Sequence, residues 1–192
     1  TPSDKPYSRT GAIDMWKNRV PWLLFLMLSA TFTTMILNSF EDALAVQAVL
    51  IGFIPVIMGT GGNSGAQSST AIIRSLSLGD TEPEDALKVI WKELRVALLC
   101  GVTLAAVNFM KMLLVDNLLW GNHNVDYTIA LIVSLAIVFT VMFAKVVGSF
   151  LPMLAEKIGL DPAVVATPLI TTISDAVSLL IYLEIAKVFL HI

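Results

Sequence analysis

The 192-residue sequence has few charged side chains, one cysteine and two histidines. Charged residues make up 14% of the chain and hydrophobic residues 56%, whereas a typical soluble domain is about 25% charged. So few charges cannot cover the surface of a compact water-soluble protein, and we therefore predict an integral membrane domain. Cys100 alone excludes an intramolecular disulfide, and His123 and His191 are too separated for a metal cluster. The apolar segments contain no nucleophile–base pair and no catalytic metal cluster, so we do not expect an enzyme. We also expect no nucleic-acid partner.

Five apolar runs are long enough to cross a bilayer, because about 20 helical residues span the ~30 Å hydrocarbon core. They cover residues 20–38, 43–76, 94–119, 127–147 and 164–190. The predicted fold is an all-α membrane protein with five transmembrane helices per chain. Residues 1–19 are polar and are expected to form a cytoplasmic tail or the stub of a preceding linker.

The basic residues predict the orientation of the five helices. Of the 12 lysines and arginines, only Lys111 and Lys187 fall on the side of the membrane opposite the N-terminus. Cytoplasmic loops are enriched in basic residues, so we expect the N-terminus in the cytoplasm and the C-terminus outside. Lys145 and Lys111, near predicted helix ends, are expected to extend toward the membrane surface.

Asp175 is the one acidic residue deep inside a predicted span. A carboxylate at mid-bilayer costs ~2.5–3.5 kcal/mol on insertion scales. Helical spacing places it on one polar face of the fifth span, and Pro168 frees a backbone carbonyl on the same span. The other members of that face are Thr167, Thr171, Ser174, Ser178 and Tyr182. No Lys or Arg is predicted at this depth, which favours a pore-lining or cation-binding carboxylate over a protonated Asp175 bonded to a neighbouring helix.

A second polar stretch, "GTGGNSGAQSST" at residues 59–70, lies inside the second predicted span. Gly61 and Gly65 are four residues apart and predict a close approach by another helix. Packing alone is one interpretation of the glycines, but the polar side chains exceed what packing requires and favour a water-filled path. Helical spacing assigns one narrow face to Gly59, Gly62, Asn63, Ala66, Ser69 and Thr70.

The two polar faces offer only oxygen ligands. Carboxylate, hydroxyl, amide and carbonyl oxygens suit hard cations such as Mg²⁺, Ca²⁺ or Mn²⁺. One carboxylate per chain is weak for a dication, which predicts a homodimer with two Asp175 side chains near its axis. Because Mg²⁺ gives up its water reluctantly, a wide site could hold the hydrated ion.

The sequences "PVIMGTGGNSGAQSSTAIIRSLSLGD" and "TPLITTISDAVSLLIYLEIAK" resemble the MgtE magnesium channels along essentially the whole chain. The resemblance implies a homodimeric pore lined by the second and fifth helices of both subunits. It implies that hydrated Mg²⁺ is held by Asp175, the Thr171 and Gly62 carbonyls and the Thr70 hydroxyl. The sequence departs from the family pattern "GGNTGNQ" at Ala66, which removes one polar contact to the ion's water shell. The expected pore-lining residues are Gly59, Asn63, Ala66, Thr167, Pro168 and Ser178.

The sequence therefore predicts a Mg²⁺-selective channel domain at residues 20–192, in the inner (plasma) membrane of a bacterial cell. It would conduct hydrated divalent cations into the cytoplasm, with Mn²⁺, Co²⁺ and Ca²⁺ as further possible cargo. The alternative is a proton- or ion-coupled transporter of divalent cations that uses protonation of Asp175. Members of the family usually carry a cytoplasmic N-terminal domain and CBS domains, which this sequence does not contain.

Overall fold

The computed structural model describes residues 10–191, apart from the side chains of Val165 and Thr167. Within this part of the chain the structure consists of helices and their connections, without a β-strand. A 3₁₀ turn, Ala48–Phe53, precedes α4, another, Pro83–Asp85, precedes α5, and a π-helix, Met112–Leu119, continues α5. The α-helices are α1 (Ala12–Ser29), α2 (Thr31–Ser39), α3 (Glu41–Val46), α4 (Ile54–Ser77), α5 (Ala86–Lys111), α6 (Tyr127–Lys157) and α7 (Pro162–Leu190).

Among residues 10–191, five helical segments are long and apolar enough to cross a membrane, which confirms the predicted number. Their boundaries differ from the prediction because the sequence pattern does not mark where a helix bends or continues. The second span begins at Ala48 rather than at residue 43, since Glu41–Val46 forms a separate short helix. The segments are Ala12–Ser39, Ala48–Ser77, Pro83–Leu119, Tyr127–Lys157 and Pro168–Leu190.

The long helices begin and end at residues suited to those positions. The carboxylate of Asp126 accepts a hydrogen bond from the backbone N–H of Ile129 at the start of α6. Asp161 caps α7 in the same way by accepting from the N–H of Ala163. α6 stops before Gly159, whose φ of 76° is a conformation that glycine adopts without steric cost.

α6 is the central helix of the bundle. It contacts α4, α5 and α7, and it contributes buried residues along most of its length. α1, by contrast, has no buried residue and presents large apolar side chains such as Leu24, Phe25 and Leu28 outward. The two helices that carry the predicted pore-lining residues, α4 and α7, therefore both pack against α6.

Glycines allow α4 to lie directly against α6 and α7. A Cβ on Gly148 of α6 would collide with the backbone carbonyl of Gly65 on α4. Gly65 itself has room only for hydrogen, because a Cβ there would lie 2.6 Å from Cγ2 of Ile170 on α7 and 3.1 Å from the carbonyl oxygen of Ala144 on α6. Gly61 is enclosed in the same way by Thr140 and Ser178. The predicted close approach at Gly61 and Gly65 is confirmed, and it involves two neighbouring helices.

We expect Gly148→Ala to destabilise the protein, because the added methyl group meets backbone that no rotamer change can move aside. Overpacking of this kind typically costs about 1–3 kcal/mol. The measurement is the thermal unfolding midpoint of the purified protein in detergent. Gly59→Ala is the matched control, since nothing lies within 4 Å of a Cβ at that position. Equal midpoints for the two variants would contradict this account of the packing.

Candidate cation site

Asp175 lies in the middle of α7, half-buried, beside the backbone of α4. Its Oδ1 atom is 3.7 Å from the position that a Cβ on Gly62 would occupy, so a glycine there gives the carboxylate close access to α4. Within residues 10–191, no hydrogen bond or ion pair involves this carboxylate. The alternative in which a protonated Asp175 is bonded to a neighbouring helix therefore finds no partner in the described part of the chain.

The polar side of α4 is open next to this carboxylate. Gly59, Asn63 and Thr70 are exposed, whereas Gly62 and Ala66 are half-buried. The hydroxyl of Thr70 donates to the carbonyl of Ala66 at 2.9 Å, which leaves its oxygen free to accept a hydrogen bond from water. We call Gly59, Gly62, Asn63, Ala66 and Thr70 the open face of α4.

Ser69 does not belong to this open face. Its side chain is completely buried and its hydroxyl has no hydrogen-bond partner in the described structure. The helical spacing predicted Ser69 on the same narrow face, and this prediction is wrong because α4 packs against its neighbours on the side that carries Ser69.

The predicted polar stripe of α7 is divided between two environments. Thr171, one turn before Asp175 on α7, is half-buried like Asp175. Ser174, Ser178 and Tyr182 are completely buried. Ser178 packs against Gly61 in the interior of the bundle, a position that does not agree with its predicted lining role. The cause is the close approach of α4, which covers this side of α7.

The N-terminal part of the stripe contains Pro168 and Thr167. Pro168 is half-buried, and its carbonyl accepts hydrogen bonds from the hydroxyls of Thr171 at 2.9 Å and Thr172 at 3.1 Å. Both threonine hydroxyls thus donate their protons to backbone. The group that the resemblance names at Thr171 is its backbone carbonyl. The side chain of Thr167 lies outside the described residues.

Tyr182 connects α7 to the beginning of the α4 segment. Its hydroxyl is buried and donates to the carbonyl of Leu50, in the turn before α4, at 2.9 Å. Such a bond contributes about 1 kcal/mol. It also fixes the position of α7 along α4, and with it the level at which Asp175 meets Gly62.

Lys145 was expected to extend toward the membrane surface, and this expectation is wrong. The residue is only 3% exposed, and its ammonium donates to Oε1 of Gln67 at 2.8 Å and to Oγ of Ser68 at 3.3 Å. α6 continues to Lys157, which leaves Lys145 about 18 Å from the helix end at 1.5 Å per residue. The apolar residues on both sides of Lys145 in the sequence were the signal that it lies within a span.

The open face is a suitable environment for a hydrated cation. Asp175 supplies a negative charge without a cationic partner among the described residues, whose ion pairs, Lys88–Asp85 and Lys111–Asp116, lie at other positions. Within residues 10–191, no three His, Cys, Asp or Glu side chains lie close enough together to hold a metal ion. One chain therefore offers a single carboxylate with neutral oxygens, a set better suited to a cation that keeps its water than to a dehydrated one.

Comparison with known proteins places these helices in a family. The family model MgtE, described as a divalent cation transporter, matches residues 54–185, which include all of α4 and most of α7. The chain is 41% identical over 188 residues to the magnesium transporter MgtE of Thermus thermophilus, covering 98% of this chain and 40% of that protein. It is 31% identical over 174 residues to the magnesium transporter MgtE of Bacillus subtilis, covering 90% and 37%. The chain thus spans about two fifths of the length of these curated relatives.

We expect a cysteine introduced on the open face of α4 to react with a membrane-impermeant, charged thiol reagent, because water should reach this face. In a Cys100→Ala background, Asn63→Cys should be modified in liposomes, because its side chain is exposed next to Asp175. Ser69→Cys is the control, as that position is completely buried. The measurement is the extent of labelling by mass spectrometry. Equal labelling of both thiols, or labelling of Ser69→Cys alone, would contradict the described orientation of α4.

Proposed function

The chain belongs to the MgtE family, and from this premise we propose that residues 20–192 form the ion-conducting unit of a Mg²⁺-selective channel. The observation that supports this most directly is the Asp175 carboxylate, which faces Gly62 without an ion pair or hydrogen bond in the described structure. Leaving a carboxylate unpartnered within a span is costly unless water or a cation compensates it. A conducted divalent cation provides that compensation.

We propose that the cation is held with its water shell. The Asp175 carboxylate would accept hydrogen bonds from the ion's water, as would the carbonyls of Gly62 and Thr171 and the hydroxyl of Thr70. Thr70 is suited to this because its own proton is already donated to the Ala66 carbonyl. Mg²⁺ retains water more firmly than Ca²⁺ does, so indirect contacts favour a Mg²⁺ cargo. Gly59, Asn63, Ala66, Pro168 and Thr167 would line the rest of the path.

We propose that the path is completed in a homodimer. The open face of α4 and Asp175 form one wall, and the side facing them in the described structure is not covered by another helix of the chain. A second copy related by a two-fold axis would bring a second Asp175 to the site and balance the two charges of the cation. Closed two-fold symmetry is the commonest arrangement of homo-oligomers.

The proposed orientation has the N-terminus in the cytoplasm of a bacterial cell and the C-terminus outside its plasma membrane. It rests on the distribution of basic residues. Residues 1–19 would then lie on the cytoplasmic side.

We expect Asp175→Asn to abolish saturable Mg²⁺ uptake into liposomes. Loss of the carboxylate removes the charge that attracts the cation while keeping the size and shape of the side chain. The measurement is uptake reported by a Mg²⁺-sensitive dye trapped inside the vesicles. Glu184→Gln, an exposed acidic position on the same helix, is the control and should retain uptake. Unchanged uptake in Asp175→Asn would refute the assignment.

The same assay separates a channel from a coupled transporter. A channel needs only the electrochemical gradient of the ion itself, so uptake by the unmodified protein should persist when a protonophore abolishes the pH gradient. Loss of uptake under that condition would favour coupling to protons through Asp175.

We expect Ala66→Asn to strengthen Mg²⁺ binding. Ala66 lies on the open face one turn after Gly62, and an amide there would add a hydrogen bond to the ion's water shell. One such bond is worth about 0.5–1.5 kcal/mol, or roughly two- to tenfold in half-saturating concentration. Competition of Mn²⁺, Co²⁺ and Ca²⁺ with Mg²⁺ uptake gives the ranking. Ala71→Asn, exposed on α4 away from the open face, is the control, and an equal effect there would contradict the proposal.

A further inference from the structure

A chain of hydrogen bonds joins α4, α5 and α6 on a side of α4 that the open face does not include. Lys145 of α6 donates to Gln67 and Ser68 of α4, at 2.8 Å and 3.3 Å. The Ser68 hydroxyl in turn donates to Oε2 of Glu93 on α5 at 2.6 Å. We call these four residues the Lys145 network.

The network links two opposite charges through one hydroxyl. Ser68 accepts a hydrogen bond from the ammonium and donates one to the carboxylate, so both of its bonding directions are used. Lys145 and Glu93 do not form a direct ion pair. Both Lys145 and Ser68 are buried, at 3% and 2% exposure, and a buried ammonium without a counter-charge is strongly destabilising.

Little else joins α4 to α5. A groove of about 400 Å³ separates α4 from α5 next to the network. α4 packs on α6 and α7, whereas its contacts with α5 are sparse. The bond from Ser68 to Glu93 therefore bridges a gap that side-chain packing leaves open. Residues lining the groove include Ser64, Gln67, Leu99, Thr103, Leu104 and Lys145.

The network lies next to the C-terminal half of the open face. Gln67 is one turn after Asn63 and three residues before Thr70, so a rotation of α4 at this level would turn Thr70 away from the path. The bond to Lys145 also occupies the side-chain carbonyl of Gln67, which is then less available to a passing cation.

We propose that Lys145 is a positioning residue: through Gln67, Ser68 and Glu93 it holds the second half of α4 in the rotation that presents Thr70 to the proposed path. The positioning role depends on the proposed function only in its expected effect on Mg²⁺ transport. The coupling of Lys145 to Glu93 and the orientation of Thr70 are measurable without any transport.

A double-mutant cycle on unfolding tests the coupling. Lys145→Met and Glu93→Gln each leave one charge without its counter-charge, so each should lower the thermal unfolding midpoint in detergent. The double variant removes both charges and should recover most of the loss. Ser68→Ala, which keeps both charges and removes only the connecting hydroxyl, gives a milder variant if either single replacement fails to fold. Additive effects in the cycle, together with an unchanged midpoint in Ser68→Ala, would overturn the proposal.

Thiol modification tests the rotation of α4. In the Cys100→Ala background, the labelling rate of Thr70→Cys should change by about threefold or more in Lys145→Met and in Glu93→Gln, in the same direction. A purely electrostatic influence on the thiolate would move the two rates in opposite directions, because the lost charges differ in sign. Gly59→Cys, near the start of α4, is the control and should keep its rate.

The two readouts separate the inference from the function it builds on. The positioning role would be overturned if Lys145→Met and Glu93→Gln changed the labelling rate of Thr70→Cys in opposite directions. It would also be overturned if neither variant changed that rate while Gly59→Cys kept its own. If neither thiol reacts in the parent protein, the proposed water path is refuted, and the unfolding cycle alone decides whether Lys145 and Glu93 are coupled. If Thr70→Cys is labelled and Asp175→Asn loses Mg²⁺ uptake, the proposed path is supported. If uptake by Ser68→Ala is then close to that of the unmodified protein, the positioning role is contradicted.

Discussion

The contact between the backbones of Gly65 and Gly148 is the constraint on which the rest of the bundle depends. In a bilayer the apolar surface of a helix is already solvated by lipid, so helices are held together by close packing and interhelical hydrogen bonds rather than by hydrophobic burial. Because a side chain at either glycine would collide with its neighbours, α4 can approach α6 only with this side turned inward. That contact sets the rotation of α4 and thereby selects the residues left open on the other side.

The geometry of the candidate site follows from this rotation. Gly61 faces Ser178 and Thr140, so the next residue, Gly62, turns by about 100° and meets the carboxylate of Asp175. Tyr182 then fixes the height of α7 through its bond to Leu50. Rotation and height together place one carboxylate beside an exposed row of glycine, asparagine and threonine, although none of these groups binds another directly.

Lys145 and Asp175 lie in different environments within the bundle. Lys145 is completely enclosed, and its hydrogen bonds lead to a counter-charge on a third helix. Asp175 is half-buried and has no such partner in the described residues. A charge satisfied within the protein stabilises one arrangement of helices, whereas an unsatisfied charge at an open surface is available to a ligand. This contrast is the physical reason why we propose a positioning role for the lysine and a cation-binding role for the aspartate.

The sequence by itself determined the number of membrane-spanning helices, the close approach at Gly61 and Gly65, and the presence of a single acidic residue deep in the fifth span. These features depend on composition and on the spacing of residues along one helix. The tertiary structure alone decided that Ser178 and Tyr182 turn inward while Asp175 remains half-exposed, and that Lys145 is enclosed instead of reaching the surface. Helical spacing gives the angle between two residues of one helix, but which angle faces a neighbouring helix depends on that neighbour's own small and large side chains.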